Sequence, residues 1–139
     1  MRKLGDVTLE HCPITMNQAA SVMEACDRIR DGRAGSVLVT DSLGNLVGIF
    51  TGRDAVCRVL AQRRDAATTP LAAVMTPNPT TMSADQSTFE ALHLMRAGGF
   101  RHIPLVKNSR IVGLVSRGDF HGLQQQQHDE ERDLWEYLR

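Results

Sequence analysis

The chain aligns with itself. At an offset of 66 residues Pro13 matches Pro79, Thr15 Thr81, Met16 Met82, Ser21 Ser87, Glu24 Glu90, Ala25 Ala91, Arg30 Arg96 and Gly32 Gly98. Farther on the offset becomes 65, pairing Val47 with Val112, Gly48 with Gly113 and Asp54 with Asp119. The lost residue falls in a turn, where Asp41-Ser42-Leu43-Gly44-Asn45 is answered by Lys107-Asn108-Ser109-Arg110. Turns are where a repeated unit tolerates a length change most easily. A duplication on this scale binds both halves to one fold, so whatever either half forms must recur in the other.

Each half reads the same way locally. Ser21 and Ser87 are each followed three residues later by Glu, the pattern of a helix N-terminus whose side chains satisfy otherwise orphaned amides. Val22, Ala25, Cys26 and Ile29 recur at helical spacing, as do Phe89, Leu92 and Met95. Gly32 and Gly98 are expected to end these helices in the left-handed conformation. Two apolar runs follow in each half: Val37-Leu38-Val39 with Leu46-Val47-Gly48-Ile49-Phe50, and Ile103-Pro104-Leu105-Val106 with Ile111-Val112-Gly113-Leu114-Val115. They predict buried β-hairpins. A second helix then carries Ala55, Val56, Val59 and Leu60 in the first half. The order is β-α-β-β-α, twice, an α+β fold whose half-covered sheets must find partners in each other. Between the halves, small residues and three prolines make a stiff linker with one helical turn at Leu71 to Val74, and Leu4-Gly5-Asp6-Val7 is the matching lead-in. The expected divisions are 1–66 for the first repeat with its lead-in, 67–124 for linker and second repeat, and 125–139 for a polar tail.

Composition narrows the function. Sixteen basic and sixteen acidic residues cancel, so no net field draws the chain to nucleic acid or an anionic membrane. No apolar run is long enough to span a bilayer, and the start, Met1-Arg2-Lys3-Leu4-Gly5-Asp6, lacks the apolar run of a signal peptide, so none is expected. Cys12, Cys26 and Cys57 form no CxxC spacing, which fits a reducing cytoplasm, and Cys26 and Cys57 fall at apolar helical positions where inert, buried thiols are expected. His11, His93, His121 and His128 lack the spacing of a metal site. No phosphate-binding loop, nucleophile-base pair or metal cluster can be assembled, so the chain is expected not to be an enzyme and to require no cofactor.

The informative polar residues recur at the strand-to-helix junctions. Gly48-Ile49-Phe50-Thr51-Gly52-Arg53-Asp54 and Gly113-Leu114-Val115-Ser116-Arg117-Gly118-Asp119 share the pattern Gly-apolar-apolar-Thr/Ser-x-x-Asp. This is a helix cap, with an acid that complements the helix dipole. The same geometry suits a ligand, because free amides attract phosphate and a carboxylate can accept from both ribose hydroxyls. The two roles are compatible.

Taken together, the duplicated β-α-β-β-α order, the hairpin His102-Ile103-Pro104-Leu105-Val106 and the Thr/Ser-x-x-Asp endings resemble paired CBS domains (the cystathionine β-synthase motif) over residues 4 to 124. The resemblance implies two repeats related by a pseudo-twofold axis, with two clefts that take adenine nucleotides (AMP, ADP or ATP) or S-adenosylmethionine. By position, Asp119 would hold ribose in one cleft, Ser116 and Gly118 ribose or phosphate, and Thr15, Ser36 and Val37 adenine, with Arg101 and His102 as phosphate partners. The reciprocal cleft would use Asp54 for ribose and Thr51 and Arg53 near phosphate, with Thr81, His102 and Ile103 flanking adenine. The clefts differ: Gly118 stands where the first repeat has Arg53, and Gly35-Ser36 replaces Arg101-His102. The Asp119 cleft is expected to be the tighter.

The resemblance further implies a cytoplasmic, dimeric sensor whose ligand shifts the relative orientation of the repeats and signals to an effector protein in trans. The alternative is a ligand-free oligomerisation or interaction scaffold in which the repeated motif only caps helices. In the tail, Leu134, Trp135 and Leu138 form an apolar edge at helical spacing. It is expected to pack on the module or on a second subunit; docking to an effector is the other reading.

Overall fold

A computed structural model describes residues 3–7 and 13–120; the side chains of Asp6, Val7, Asp119 and Phe120 lie outside the described residues, as do His11, Cys12, His121, His128 and the tail. A single helical turn, α1 (Leu4–Val7), leads into β1 (Thr15–Asn17), α2 (Val22–Gly32), β2 (Ser36–Thr40), β3 (Leu46–Thr51) and the short α3 (Gly52–Asp54), which continues as a π-helical stretch over Ala55–Leu60. The linker forms α4 (Leu71–Val74), the turn expected there, and β4 (Thr76–Pro77). The second unit holds α5 (Thr88–Gly98), β5 (His102–Lys107), β6 (Arg110–Ser116) and a 3-10 turn over Arg117–Phe120.

The sheets repeat one plan. In the first, the order is β1-β2-β3-β4, with β1 parallel to β2 and the other pairs antiparallel. In the second, β5 and β6 form the hairpin, and the partner of β1 shrinks to a parallel bridge between Met82 and Leu105, matching Met16 against Val39. Register shifts fall at equivalent places, Val39/Thr40 and Leu105/Val106. The turns explain the changed offset. Gly44, at φ +85°, closes a longer loop held by the Asp41 carboxylate, which accepts from the amides of Leu43 and Asn45. In the second unit Asn108 and Ser109, at φ 52° and 66°, make a two-residue turn whose twist suits a hairpin.

Both long helices start as expected: the hydroxyls of Ser21 and Ser87 accept from the amides of Glu24 and Glu90. Their ends differ from expectation. Gly32 and Gly98 are the last helical residues, and Arg33 (φ 50°) and Gly99 (φ 72°) take the left-handed positions. Glycine serves close approach instead, since a Cβ at Gly98 would collide with the Phe100 ring and one at Gly32 would lie 3.3 Å from Ile14. Two further expectations are corrected. Thr88 and Ala91 join Leu92 and Met95 on the buried face of α5, leaving Phe89 outside at 49% exposure. In the π-helical stretch only Val59 is buried, while Val56, Cys57 and Leu60 are exposed, because the outer side of this helix has no covering layer among the described residues. Cys26 is half-buried, and burial, with the Asp27 carboxylate adding, pushes its thiol pKa up, which suits an inert side chain.

Alternation along each strand separates two faces. Val37, Val39 and Phe50 join Val22, Ala25 and Val59 in the first core; Ile103, Leu105 and Val115 join Ala91, Leu92 and Met95 in the second. Leu38 and Ile49, paired on the opposite, helix-free face of the first sheet, are nevertheless buried. The units meet through these faces. A Cβ at Gly35 would lie 2.9 Å from His102 Cε1, and one at Gly44 would lie 2.8 Å from Arg110 Nη1, so the hairpins touch base to base and tip to tip.

The lead-in segments cross between units. Leu4 is fully buried in the second core, and its amide donates to the Gln86 carbonyl while that of Gly5 donates to Ala84. Leu71 and Val74 are buried in the first core, and the amides of Leu71 and Ala72 donate to Ala20 and Gln18. Ala20 and Gln18 are the repeat equivalents of Gln86 and Ala84, so the exchange is reciprocal.

Leu4→Ala and Leu71→Ala should each lower the free energy of unfolding in urea by about 2–5 kcal/mol, whereas Leu43→Ala, at an exposed hairpin tip, should stay within about 0.5 kcal/mol. A silent Leu4→Ala would show that the crossed lead-in does not hold the second core. Gly35→Ala should displace the His102 ring and shift its imidazole resonances in two-dimensional NMR; unchanged resonances would contradict the contact.

Candidate functional site

The motif in the first unit forms as a cap. Asp54 N–H donates to the Thr51 hydroxyl at 3.3 Å, and Asp54 Oδ2 accepts from the Thr51 amide at 3.0 Å and the Thr51 hydroxyl at 3.2 Å. Asp54 is buried, at 6% exposure. Its second oxygen, Oδ1, accepts from the Thr76 hydroxyl at 3.3 Å and lies 3.5 Å from Arg58 Nε. Arg58 also donates from Nη1 to the Met75 carbonyl at 2.9 Å. Arg53, expected near phosphate, is exposed on the same turn.

Across the hairpin, Thr51 pairs with Ser36, and in the second unit Ser116 pairs with His102. These four residues are on the helix-free faces, at the hairpin ends joined by the Gly35–His102 contact. Thr15, paired with Leu38 beside them, is exposed, and so is Thr81 immediately before Met82. The geometry therefore gathers Ser36, Thr51, His102 and Ser116 at one end of the inter-unit seam. Val37 and Ile103 are fully buried with their side chains in the two cores, so only their backbone groups remain for a ligand. Arg101 is exposed at the start of β5, and its carbonyl accepts from the Arg117 amide at 2.9 Å. Arg117 is buried at 3% exposure; Gly118 is exposed on the same 3-10 turn, which also carries the Asp119 backbone. The Asp119 carboxylate lies outside the described residues.

Ser36 is the unusual member. Only 1% exposed, it has no hydrogen-bond partner for Oγ among the described residues. A buried hydroxyl left unpaired costs about 1–3 kcal/mol, a cost that a ligand group at this place would remove. Sequence reasoning missed Thr76 and Arg58, and saw Gly35 only as a difference between the clefts, not as the place where the His102 ring comes close. Arg58 was within reach, because an acid and a base four residues apart share a helix face. Thr76 lies 22 residues from Asp54 and carries no local signal. Among the described residues no group of three or more His, Cys, Asp or Glu could hold a metal ion, and no helix is long and apolar enough to cross a membrane.

Comparison with known proteins agrees with this architecture. The family model for the CBS domain matches residues 4–60 and 71–123. The CBS domain-containing protein CBSCBSPB5 of Arabidopsis thaliana is 37% identical over 102 residues, covering 73% of this chain and 19% of that protein. The chain thus spans about a fifth of the length of such curated relatives. Among solved structures, the CBS domain pair of protein MJ0100 in complex with 5′-methylthioadenosine and S-adenosyl-L-methionine is 26% identical with a TM-score of 0.77, covering 86% of this chain and 93% of that one. The CBS domain protein PAE2072 from Pyrobaculum aerophilum, complexed with AMP, shares the fold at 23% identity and a TM-score of 0.80, over 94% of this chain and 98% of that one. With each half matched separately and the paired architecture recurring in solved structures, the chain belongs to the CBS domain family, as a tandem pair.

Proposed function

We propose that this CBS pair is a non-catalytic sensor that binds an adenosine-containing ligand between its two units. The observation carrying the reading is the buried hydroxyl of Ser36, without a partner among the described residues, on the helix-free face, opposite Thr51 and beside the Gly35–His102 contact. The solved pair bound to S-adenosyl-L-methionine and 5′-methylthioadenosine supports the same class of ligand.

In the cleft we favour, Asp119 accepts from the ribose, Ser116 and Gly118 approach ribose or phosphate, and Thr15, Ser36 and the Val37 backbone border adenine. Arg101 and His102 face phosphate, Arg101 with the two-pronged geometry that suits it. The reciprocal cleft would draw on Asp54, Thr51, Arg53, Thr81, His102 and the Ile103 backbone. A ligand touching both units favours one relative orientation, and it can shift that equilibrium only by its difference in affinity for the two states. An effector protein reads the state. The resemblance to paired modules is what suggests association with a second copy; the exposed apolar side chains of Met23, Val56, Leu60 and Phe89 on the outer helix faces are apolar area that such a copy would cover.

A second reading has its own support. The closed Thr51–Asp54 cap is what a ligand-free scaffold would need from that motif. Calorimetry separates the two. AMP, ADP, ATP or S-adenosylmethionine should bind the wild type and bind Asp119→Ala or Ser36→Val roughly tenfold or more weakly, the scale of a lost hydrogen bond to a charged group. Equal affinity in the variants would remove those residues from the site, and no heat with any of the four would favour the scaffold.

A further inference from the structure

The two carboxylate oxygens of Asp54 offer about four acceptor directions; the chain itself fills three of them with hydrogen bonds and sets the Arg58 guanidinium 3.5 Å from Oδ1. Thr51 supplies two donors to Oδ2 from within the cap. The other two approach Oδ1 and belong to a different system. The Thr76 hydroxyl comes from the first residue of β4, and Arg58, which faces Oδ1 through Nε, also holds the Met75 carbonyl just before that strand. Both therefore tie the acid of the first unit to the linker that enters the second. The neighbourhood is tight. β4 pairs with β3 through Gly48–Pro77 and Ile49–Thr76, the Asn78 amide donates to the Val47 carbonyl at 3.2 Å, and a Cβ at Gly48 would collide with the Met75 sulfur. The Asp54 side chain is only 8% exposed, so solvent does not substitute freely for these donors.

We infer that Thr76 and Arg58 are tethered competitors for Asp54, so that the first-unit cleft admits a ligand with a ribose-type cis-diol only when β4 releases the carboxylate. The inference rests on the proposed adenosyl-binding function and adds the residues that decide which cleft is open. A donor on the same chain competes at an effective concentration on the order of millimolar, so a diol must outbid two groups already in place. Access to the first cleft is therefore limited by groups local to Asp54, and filling it loosens the edge strand leading to the second unit. Thr76 and Arg58 are positioning residues. They act through Asp54 and need not touch the ligand.

Two measurements on the full chain decide this. In hydrogen exchange without ligand, Thr76→Val and Arg58→Gln should each speed exchange of the Asn78 amide roughly tenfold, the factor that one hydrogen bond to a charged group carries. In calorimetry with AMP, the wild type should bind about one equivalent, Thr76→Val should gain a second, and Thr76→Val combined with Asp54→Asn should lose it again. Unchanged exchange in both variants overturns the inference, as does a wild type that already fills two equal sites or a second site in Thr76→Val that survives Asp54→Asn. If exchange accelerates but AMP binds no variant, the tie to the linker stands and the adenosyl-binding function fails.

Discussion

Neither half of this molecule completes its own core. The second core closes only when Leu4, from the segment preceding the first repeat, enters it, and the first closes only when Leu71 and Val74 arrive from the segment preceding the second. The hydrogen bonds repeat the exchange, since the lead-in amides of each unit dock on the turn before the long helix of the other. Fully burying side chains of this size is worth about 1.5–3 kcal/mol each, a large share of the net stability of a small domain. Stability and relative placement are thus one problem here. The units cannot drift apart without each opening a hole in the other.

That constraint makes the seam between units a defined place. Each sheet gives one face to its helices, so alternation sends the remaining side chains toward the partner sheet. Along most of the seam these are apolar, as with Leu38 and Ile49. At the hairpin ends they turn polar, and Ser36, Thr51, His102 and Ser116 gather where Gly35 lets the His102 ring come close. A small glycine just before one strand and a ring at the start of the other give the seam its asymmetry, although the backbone plan is duplicated.

Much of this was legible in the sequence because it is local or repeated. The offset matches set the element order, Ser21 and Ser87 with their following Glu marked the helix starts, and the small residues before Pro77 predicted the single turn over Leu71–Val74. What escaped was decided by distant contacts. Nothing near Leu4 says that it belongs to the core of the other unit. Gly32 and Gly98 look like left-handed caps, but Ile14 and Phe100 explain them better, and Arg33 accepts the strained position. Val56, Leu60 and Phe89 read as core by hydrophobicity, yet one helix face has only so much sheet to cover. Thr51 and Asp54 were recognisable as a helix cap, whereas the hold of Thr76 on the same carboxylate depends on the path of the linker.

Chemical-shift mapping of isotope-labelled protein titrated with AMP tests the shared seam most directly. The account predicts that the largest amide shifts fall on both units together, at Thr15, Ser36, His102 and Ser116, while Val56, Leu60 and Phe89 on the outer helix faces stay put. Saturable shifts confined to one unit, or to those outer faces, would contradict it.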